Sequence, residues 1–218
     1  MKILSLDASN NITSVAISEN DNIIAYESDF RNSMQAETIV PMIEKCLNDA
    51  KLEYKNIDYL ATIIGPGSFT GIRIGLSVAK AILFTTNIKP IVISNFEVYY
   101  FKAIEQISNF DYIVTCINAY RNQLYVKIFS KKINNIFDQP TLLNYDEAIQ
   151  IINNLDGIVV SIGNGIPLLF HNLKNEIIIL PRFTQIKSIY ICKYANYLLQ
   201  NNMILNSSIT PLYIRAFS

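Results

Sequence analysis

The sequence predicts an α/β protein built as two lobes of similar construction. Three observations lead there. Runs with a two-residue hydrophobic period alternate with runs of helical period. Three strand-like runs followed by alternating helix and strand occur twice in the same order. A chain of 218 residues that is 50% apolar and 17% charged has enough buried surface for both lobes. The expected division is 1–107 and 108–218, with no Pro/Ser linker between the halves and no obvious residue identities shared by them.

The elements follow in order. Residues 3–6, 15–18 and 23–26 read as strands, the last two joined by the turn Glu19-Asn20-Asp21-Asn22. A helix spans about 34–50, with Pro41 expected to bend or interrupt it because it removes one backbone hydrogen bond. Strand 59–64 empties into Gly65-Pro66-Gly67-Ser68-Phe69-Thr70-Gly71, which opens a helix running to about residue 84. A short strand at 91–93 precedes a helix that starts at Ser94 or Asn95. In the second half, 112–117, 124–129 and about 136–143 are strands, and 145–153 is a helix capped by Asn144. A strand at 158–162, a short helix after Pro167, a strand at 177–180 and a helix over 188–200 complete the series.

Composition narrows the function. Eighteen basic and eighteen acidic side chains give no net charge and no basic stripe, so RNA contact is expected to be shared with another protein. No apolar stretch reaches the roughly 18 residues of a membrane helix. Met1-Lys2 leads directly into strand residues, with no leader expected. Cys46, Cys116 and Cys192 are odd in number and far apart, which points to buried thiols in a reducing, cytoplasmic setting.

The helix at 70–84 has more apolar surface than one core contact requires. On a helical wheel Ile72, Leu76, Ala79 and Leu83 fall on one side, and Ile74, Val78, Ala81 and Ile82 on the other. Arg73, Ser77 and Lys80 form a polar strip between them. Gly71, Gly75 and Ala79 recur every four residues, a small-residue line along which another helix could approach closely. The helix at 34–50 is similar, with Ala36, Ile39, Val40, Met42, Ile43, Cys46, Leu47 and Ala50 on a broad arc opposite Glu37, Glu44 and Asn48. Burial by neighbouring elements and burial by a second protein both fit these wheels.

The run from Gly65 to Gly75, the opening Leu6-Asp7-Ala8-Ser9 and the ending Pro211-Leu212-Tyr213-Ile214-Arg215 together resemble the TsaB family, formerly called YeaZ. The resemblance in element order extends over essentially the whole chain. It implies the duplicated actin-like ATPase-domain fold, shared with sugar kinases and Hsp70. It also implies a non-catalytic subunit, without cofactor or metal, needed for threonylcarbamoyladenosine at position 37 of tRNA. In that family the catalyst is the paralogue TsaD, which transfers a threonylcarbamoyl group from its adenylate to N6 of the adenosine. The resemblance implies a TsaD heterodimer formed through first-lobe helices, with the small ATPase TsaE joining a larger complex. The charge balance leaves tRNA to be held mainly by the partner, and the same apolar helix face, with no partner to cover it, is expected to form homodimers when the chain is alone. The expected interface residues are Ala36, Ile39, Val40, Ile43, Leu47, Gly71, Ile72, Gly75, Leu76, Ala79 and Leu83.

Two departures stand out. Relatives commonly have Asp-Ala-Arg where this chain has Asn118-Ala119-Tyr120-Arg121, so the carboxylate for an Asp-bound magnesium is gone. Around Ser33-Met34-Gln35-Ala36-Glu37, where relatives often have His-Ser-Glu, there is no histidine.

Enzyme readings can be weighed on the residues. The alternative function is an independent ATP-dependent small-molecule kinase or ATPase, with Asp7 and Ser9 as possible vestigial nucleotide-binding residues. Phosphoryl transfer needs a base and a metal-phosphate clamp, yet Asn10-Asn11 occupies the turn where a glycine-rich phosphate hairpin is expected. A turn in which Asp7 caps and Ser9 bonds backbone fits better, and the Gly65 loop can be a tight turn as well as an anion nest. Ile162-Gly163-Asn164-Gly165 could line an adenosine pocket. His171 is the single histidine, so neither a two-histidine metal site nor a Ser-His-Asp triad can be assembled.

Overall fold

Alternation along Lys2–Asp7, the first strand β1, builds the first sheet. Leu4 and Leu6 point to one face, while Ile3, Ser5 and Asp7 point to the other. The computed structural model describes residues 1–31, 34–131, 139–180, 185–203 and 208–214. Two compact units emerge, one of 1–95 with 186–212 and the other of 96–185 with 213–218.

In the first unit, β2 (Thr13–Glu19), β3 (Asn22–Asp29), β4 (Tyr59–Ile63) and β5 (Lys89–Ile93) join β1 in the order β3-β2-β1-β4-β5. The β1-β2 and β2-β3 pairs are antiparallel, and β1-β4 and β4-β5 are parallel. Helices α1 (Gln35–Asp49) and α2 (Phe69–Thr85) cover one face. There Leu4, Leu6, Val15 and Ile17 pack with Ile39, Ile43, Cys46, Leu47, Ala79 and Ile82. Pro41 does not interrupt α1; its exposed position leaves one i−4 bond unmade without ending the helix.

The second unit repeats this plan. Strands β6 (Tyr112–Tyr120), β7 (Gln123–Ser130), β8 (Thr141–Asn144), β9 (Val159–Ile162) and β10 (Ile178–Ile179) order as β10-β9-β6-β7-β8, with the same two antiparallel and two parallel pairings. Helix α4 (Tyr145–Asn153) packs on β7 and β8, as α1 does on β2 and β3. Its start is a capping box, with Asn144 Oδ1 accepting from Glu147 N and Glu147 Oε2 from Asn144 N, each at 2.8 Å. Where α2 stands in the first unit, the second has only the 3-10 turns Ile166–Leu168 and Phe170–Asn172, in place of the expected short helix. Part of the strand expected at 136–143 lies outside the described residues, as do Ser33 and Arg215.

The expected 107/108 division differs from these units at both ends. Helix α5 (Ser188–Gln200) follows β10 in the chain but packs on β1 and β2. Ser5 Oγ donates to Ser188 O at 2.8 Å, and Ser188 N donates to Ser14 Oγ at 2.9 Å. Helix α3 (Asn95–Ile104) follows β5, yet from Phe96 onward it belongs with the second unit, and Tyr100 stacks on Phe129 at 4.5 Å between centroids. The halves also share a motif that the sequence comparison passed over. Ile64-Gly65-Pro66-Gly67 follows β4, and Ile162-Gly163-Asn164-Gly165 closes β9. Both first glycines hold positive φ, +120° and +122°, a conformation that disfavours any side chain.

Candidate functional site

The turn leaving β1 collects the polar groups that the sequence singled out. Asp7 Oδ1 accepts from Ser9 N at 2.7 Å, and Oδ2 accepts from Asn10 Nδ2 at 3.0 Å. Asn95 Nδ2 donates to Ser9 Oγ at 2.9 Å and to Pro66 O at 2.7 Å. Asp7, Ser9 and Asn95 are buried. Burial pushes the Asp7 carboxyl above its usual range, against the hydrogen bonds from Ser9 and Asn10 that pull it down. Asn95 was read only as a helix start. Its Oδ1 is buried without a partner among the described residues, while its amide ties the β1 turn to the glycine loop. The arrangement braces a turn, with both carboxylate oxygens already engaged.

The glycine loop is held by contact with that turn. Ser68 N donates to Ser9 O at 2.8 Å, and Ser68 Oγ caps α2 by accepting from Gly71 N at 3.2 Å. A Cβ on Gly67 would lie 2.4 Å from Ser9 O, and one on Gly71 would lie 1.8 Å from Ala8 O. Glycine is therefore required by the close approach of this loop and the start of α2 to the turn leaving β1, and the amides of Ser68 and Gly71 are bonded within the fold. Leu212 N donates to Ile64 O at 2.8 Å, which brings the Pro211-Leu212 motif beside the same loop.

The interface expected on α1 and α2 needs correction. Ile39, Ile43, Leu47, Gly71, Ile72, Gly75, Leu76 and Ala79 are all buried within the chain. The small-residue line faces β1: a Cβ on Gly75 would meet Leu6 Cδ1 at 3.6 Å and Ala8 Cβ at 3.8 Å. Of the expected set, Ala36 and Val40 are exposed and Leu83 is half-buried. The exposed apolar side chains of α2 lie away from that line. Ala81 is exposed and Phe84 is 92% exposed, while Ile74 and Val78 are half-buried and pack against the core. Arg73 lies over the Phe69 ring at 3.7 Å on the same helix.

Elsewhere, Asn118 N donates to Asn164 Oδ1 and Tyr120 N to Asn118 Oδ1, both at 2.8 Å, so these asparagines shape the β6–β7 turn. His171 sits in a 3-10 turn with its ring edge-on to Phe170 at 5.5 Å. All three cysteines are buried and free, and burial pushes the Cys46 and Cys116 thiols up to about 12. A cleft of about 710 Å³ is lined by Tyr54, Asp58, Tyr59 and Lys89. It lies where β4 and β5 begin, at the opposite end of the sheet from Asp7. No residue proposed from sequence lines it.

A family model described as TsaD, tRNA N6-adenosine threonylcarbamoyltransferase, matches residues 33–166. Among curated proteins, the chain is 31% identical over 135 residues to the tRNA threonylcarbamoyladenosine biosynthesis protein TsaB of Buchnera aphidicola subsp. Acyrthosiphon pisum. That match takes in 62% of the chain and 60% of the relative, somewhat under two thirds of its length. The protein of the same name from Haemophilus influenzae is 27% identical, over 99% of the chain and 94% of the relative. Among solved structures, YeaZ from Pseudomonas aeruginosa superposes with a TM-score of 0.76 at 16% identity, covering 97% of the chain and 99% of that structure. The shared fold is the duplicated actin-like architecture, now seen as two sheets of the same strand order.

Proposed function

The chain belongs to the TsaB (YeaZ) family, and on that premise we propose that it serves threonylcarbamoyladenosine formation in tRNA as a non-catalytic subunit. It binds and activates a TsaD-type transferase in the cytoplasm, and a TsaE-type ATPase joins the complex. Lacking that partner, it pairs with a second copy of itself. The carrying observation is the outward side of α2, where Ala81 and the 92%-exposed Phe84 leave apolar surface that the core does not use, bordered by Ile74 and Val78, which are half-buried against the core. Helix α1, packed against α2, adds Ala36 and Val40. A single histidine in the whole sequence also favours scaffold over catalyst, since the TsaD family holds its metal with histidines of one helix. Docking activates only if this face prefers one partner conformation over others.

The test is reconstitution of adenosine-37 modification with and without the chain, alongside co-purification of the transferase. Ala81→Glu and Phe84→Glu, both at exposed positions, should abolish co-purification and modification while leaving the circular dichroism spectrum and melting temperature unchanged. Retained binding by both variants would move the interface elsewhere. Modification without the chain would remove the function.

A further inference from the structure

The β6–β7 hairpin holds three consecutive non-glycine residues in left-handed backbone: Tyr120 at φ +60°, Arg121 at +52° and Asn122 at +59°. Asparagine tolerates this region, whereas a tyrosine there is a strained outlier. Such strain persists where the surrounding structure, or a function, holds it. Here it accompanies a redirected side chain. Asn118 pairs with Leu124, but Tyr120 pairs with Gln123, so Ala119 is an extra residue, a β-bulge. Strand alternation alone would send Tyr120 to the face of Asn118 and Leu124, which is core under α4. The bulge moves it to the opposite face, that of Gln123, Tyr125, Lys127 and Phe129.

That face is half-open along β7, whereas β6 seals its own side chains on the same face. Tyr120, at 62% exposure, begins the strip. Lys127 Nζ sits 4.8 Å from the centroid of Phe129, whose ring is already stacked on Tyr100, and Lys131 Nζ sits 4.1 Å from that of the buried Phe110, so the rings left open are the exposed Tyr120 and the half-buried Tyr125. Arg121 is exposed at the tip, and neither it nor Lys127 is paired with a carboxylate among the described residues. Asp146 and Glu147, the nearest acids in sequence after β8, begin α4 on the other face of the sheet.

We infer that this strip, from the strained tip along β7, contacts a single-stranded RNA loop. Aromatic faces accept unstacked bases, and interleaved cations neutralise the phosphates. An apolar protein partner would not require the exposed Arg121 and the half-buried Lys127, and an A-form duplex offers no free base to stack on Tyr120. With no net charge on the chain, the contact is weak alone and adds to the partner's grip. The inference rests on the tRNA-modification reading, which makes RNA a ligand of the complex.

The test uses the full chain, alone and with its transferase, and a labelled RNA hairpin with an unpaired loop. A fully paired duplex and a polyglutamate peptide are the comparators. Tyr120→Asn relieves the backbone strain and removes the ring. It should raise the melting temperature while weakening loop binding about tenfold. Arg121→Ala with Lys127→Ala should weaken binding and flatten its salt dependence, whereas Lys174→Ala should leave both unchanged. Ultraviolet cross-links should map to Tyr120 or Tyr125. Loop binding by Tyr120→Asn equal to the wild type, equal binding of the duplex, or equal competition by polyglutamate would each overturn the inference. If the wild-type chain supports modification and the hairpin variants do so equally well, this contact fails and the subunit role stands. If the chain binds the loop but supports no modification, the reverse holds.

Discussion

Gly71→Ala and Gly75→Ala, four residues apart on one face of α2, should change stability in opposite directions. Both replace glycine in a helix, which by itself favours alanine by about 1 kcal/mol. At Gly75 the new methyl would meet Leu6 Cδ1 at 3.6 Å and Ala8 Cβ at 3.8 Å, ordinary contact distances, so the helix preference survives. Gly75→Ala should therefore stabilise by about 0.5–1 kcal/mol. At Gly71 the methyl would fall 1.8 Å from Ala8 O and 3.0 Å from Ala8 C, both backbone atoms with no rotamer to yield. The start of α2 must lift from β1, which also strains the Ser68 cap. Overpacking of that kind costs about 1–3 kcal/mol. Because the helix gain is small so near the N-terminus, Gly71→Ala should destabilise by about 2 kcal/mol. Urea titrations followed by circular dichroism measure both, and amide exchange at 72–76 reports where the change falls. Equal tolerance of the two substitutions would refute the close approach of α2 to β1. Loss of transferase binding in a stable Gly75→Ala variant would refute the inward orientation of the small-residue line.

Three further outcomes are expected. Asp7 has its folded pKa raised by burial, so the native state holds that proton more tightly than the unfolded chain. Its contribution to stability is therefore greatest below the usual carboxylate range and is lost as pH rises through the raised value. The stability of Asp7→Asn relative to the wild type should accordingly climb across that window in paired denaturation curves, and a flat difference would contradict the burial. Cys46 and Cys116, pushed up to about 12, and the buried Cys192 should resist Ellman's reagent at neutral pH until the chain unfolds; labelling at a free-thiol rate would contradict their environments. Asn144→Ala removes one half of the α4 capping box and should cost about 1 kcal/mol in thermal or urea unfolding, with no effect on transferase binding.

The order of elements was legible because each carries its own periodicity. The strand read at 112–117 and the helix at 188–200 have strong patterns, and Asn144 announces α4 by its spacing to Glu147. The unit boundaries were not legible, because chain order says nothing about which sheet a helix covers. Helix α5 presents Ser188 and Cys192 to a serine-lined face of β1 and β2, where Cys192 Sγ approaches Ser5 Oγ at 3.1 Å. The buried stripe of Ile191, Ala195 and Leu198 shows that this face of the helix is covered, but not by which sheet. The shared Ile-Gly-x-Gly was missed for a related reason. Two glycines in four residues are weak as sequence, and their common meaning lies in the positive φ of Gly65 and Gly163.

The sidedness of α2 shows where periodicity stops being informative. A wheel with apolar residues on both flanks establishes that something beyond one core contact is present, but it assigns neither flank. The four-residue line of Gly71, Gly75 and Ala79 suggested a groove for another helix, because small residues allow any backbone to approach. Here the approaching backbone is the chain's own turn leaving the first strand, at Ala8 and Ser9. Once that line is consumed inside, Phe84 and Ala81 are left outward, with Ile74 and Val78 half-buried at the edge of the core, and any partner must meet side chains instead of a glycine notch. Such a surface pairs by apolar area, so acidic substitutions at its centre are more damaging than added volume. The substitutions that best probe partner binding therefore lie on the flank opposite the motif that first drew attention to the helix.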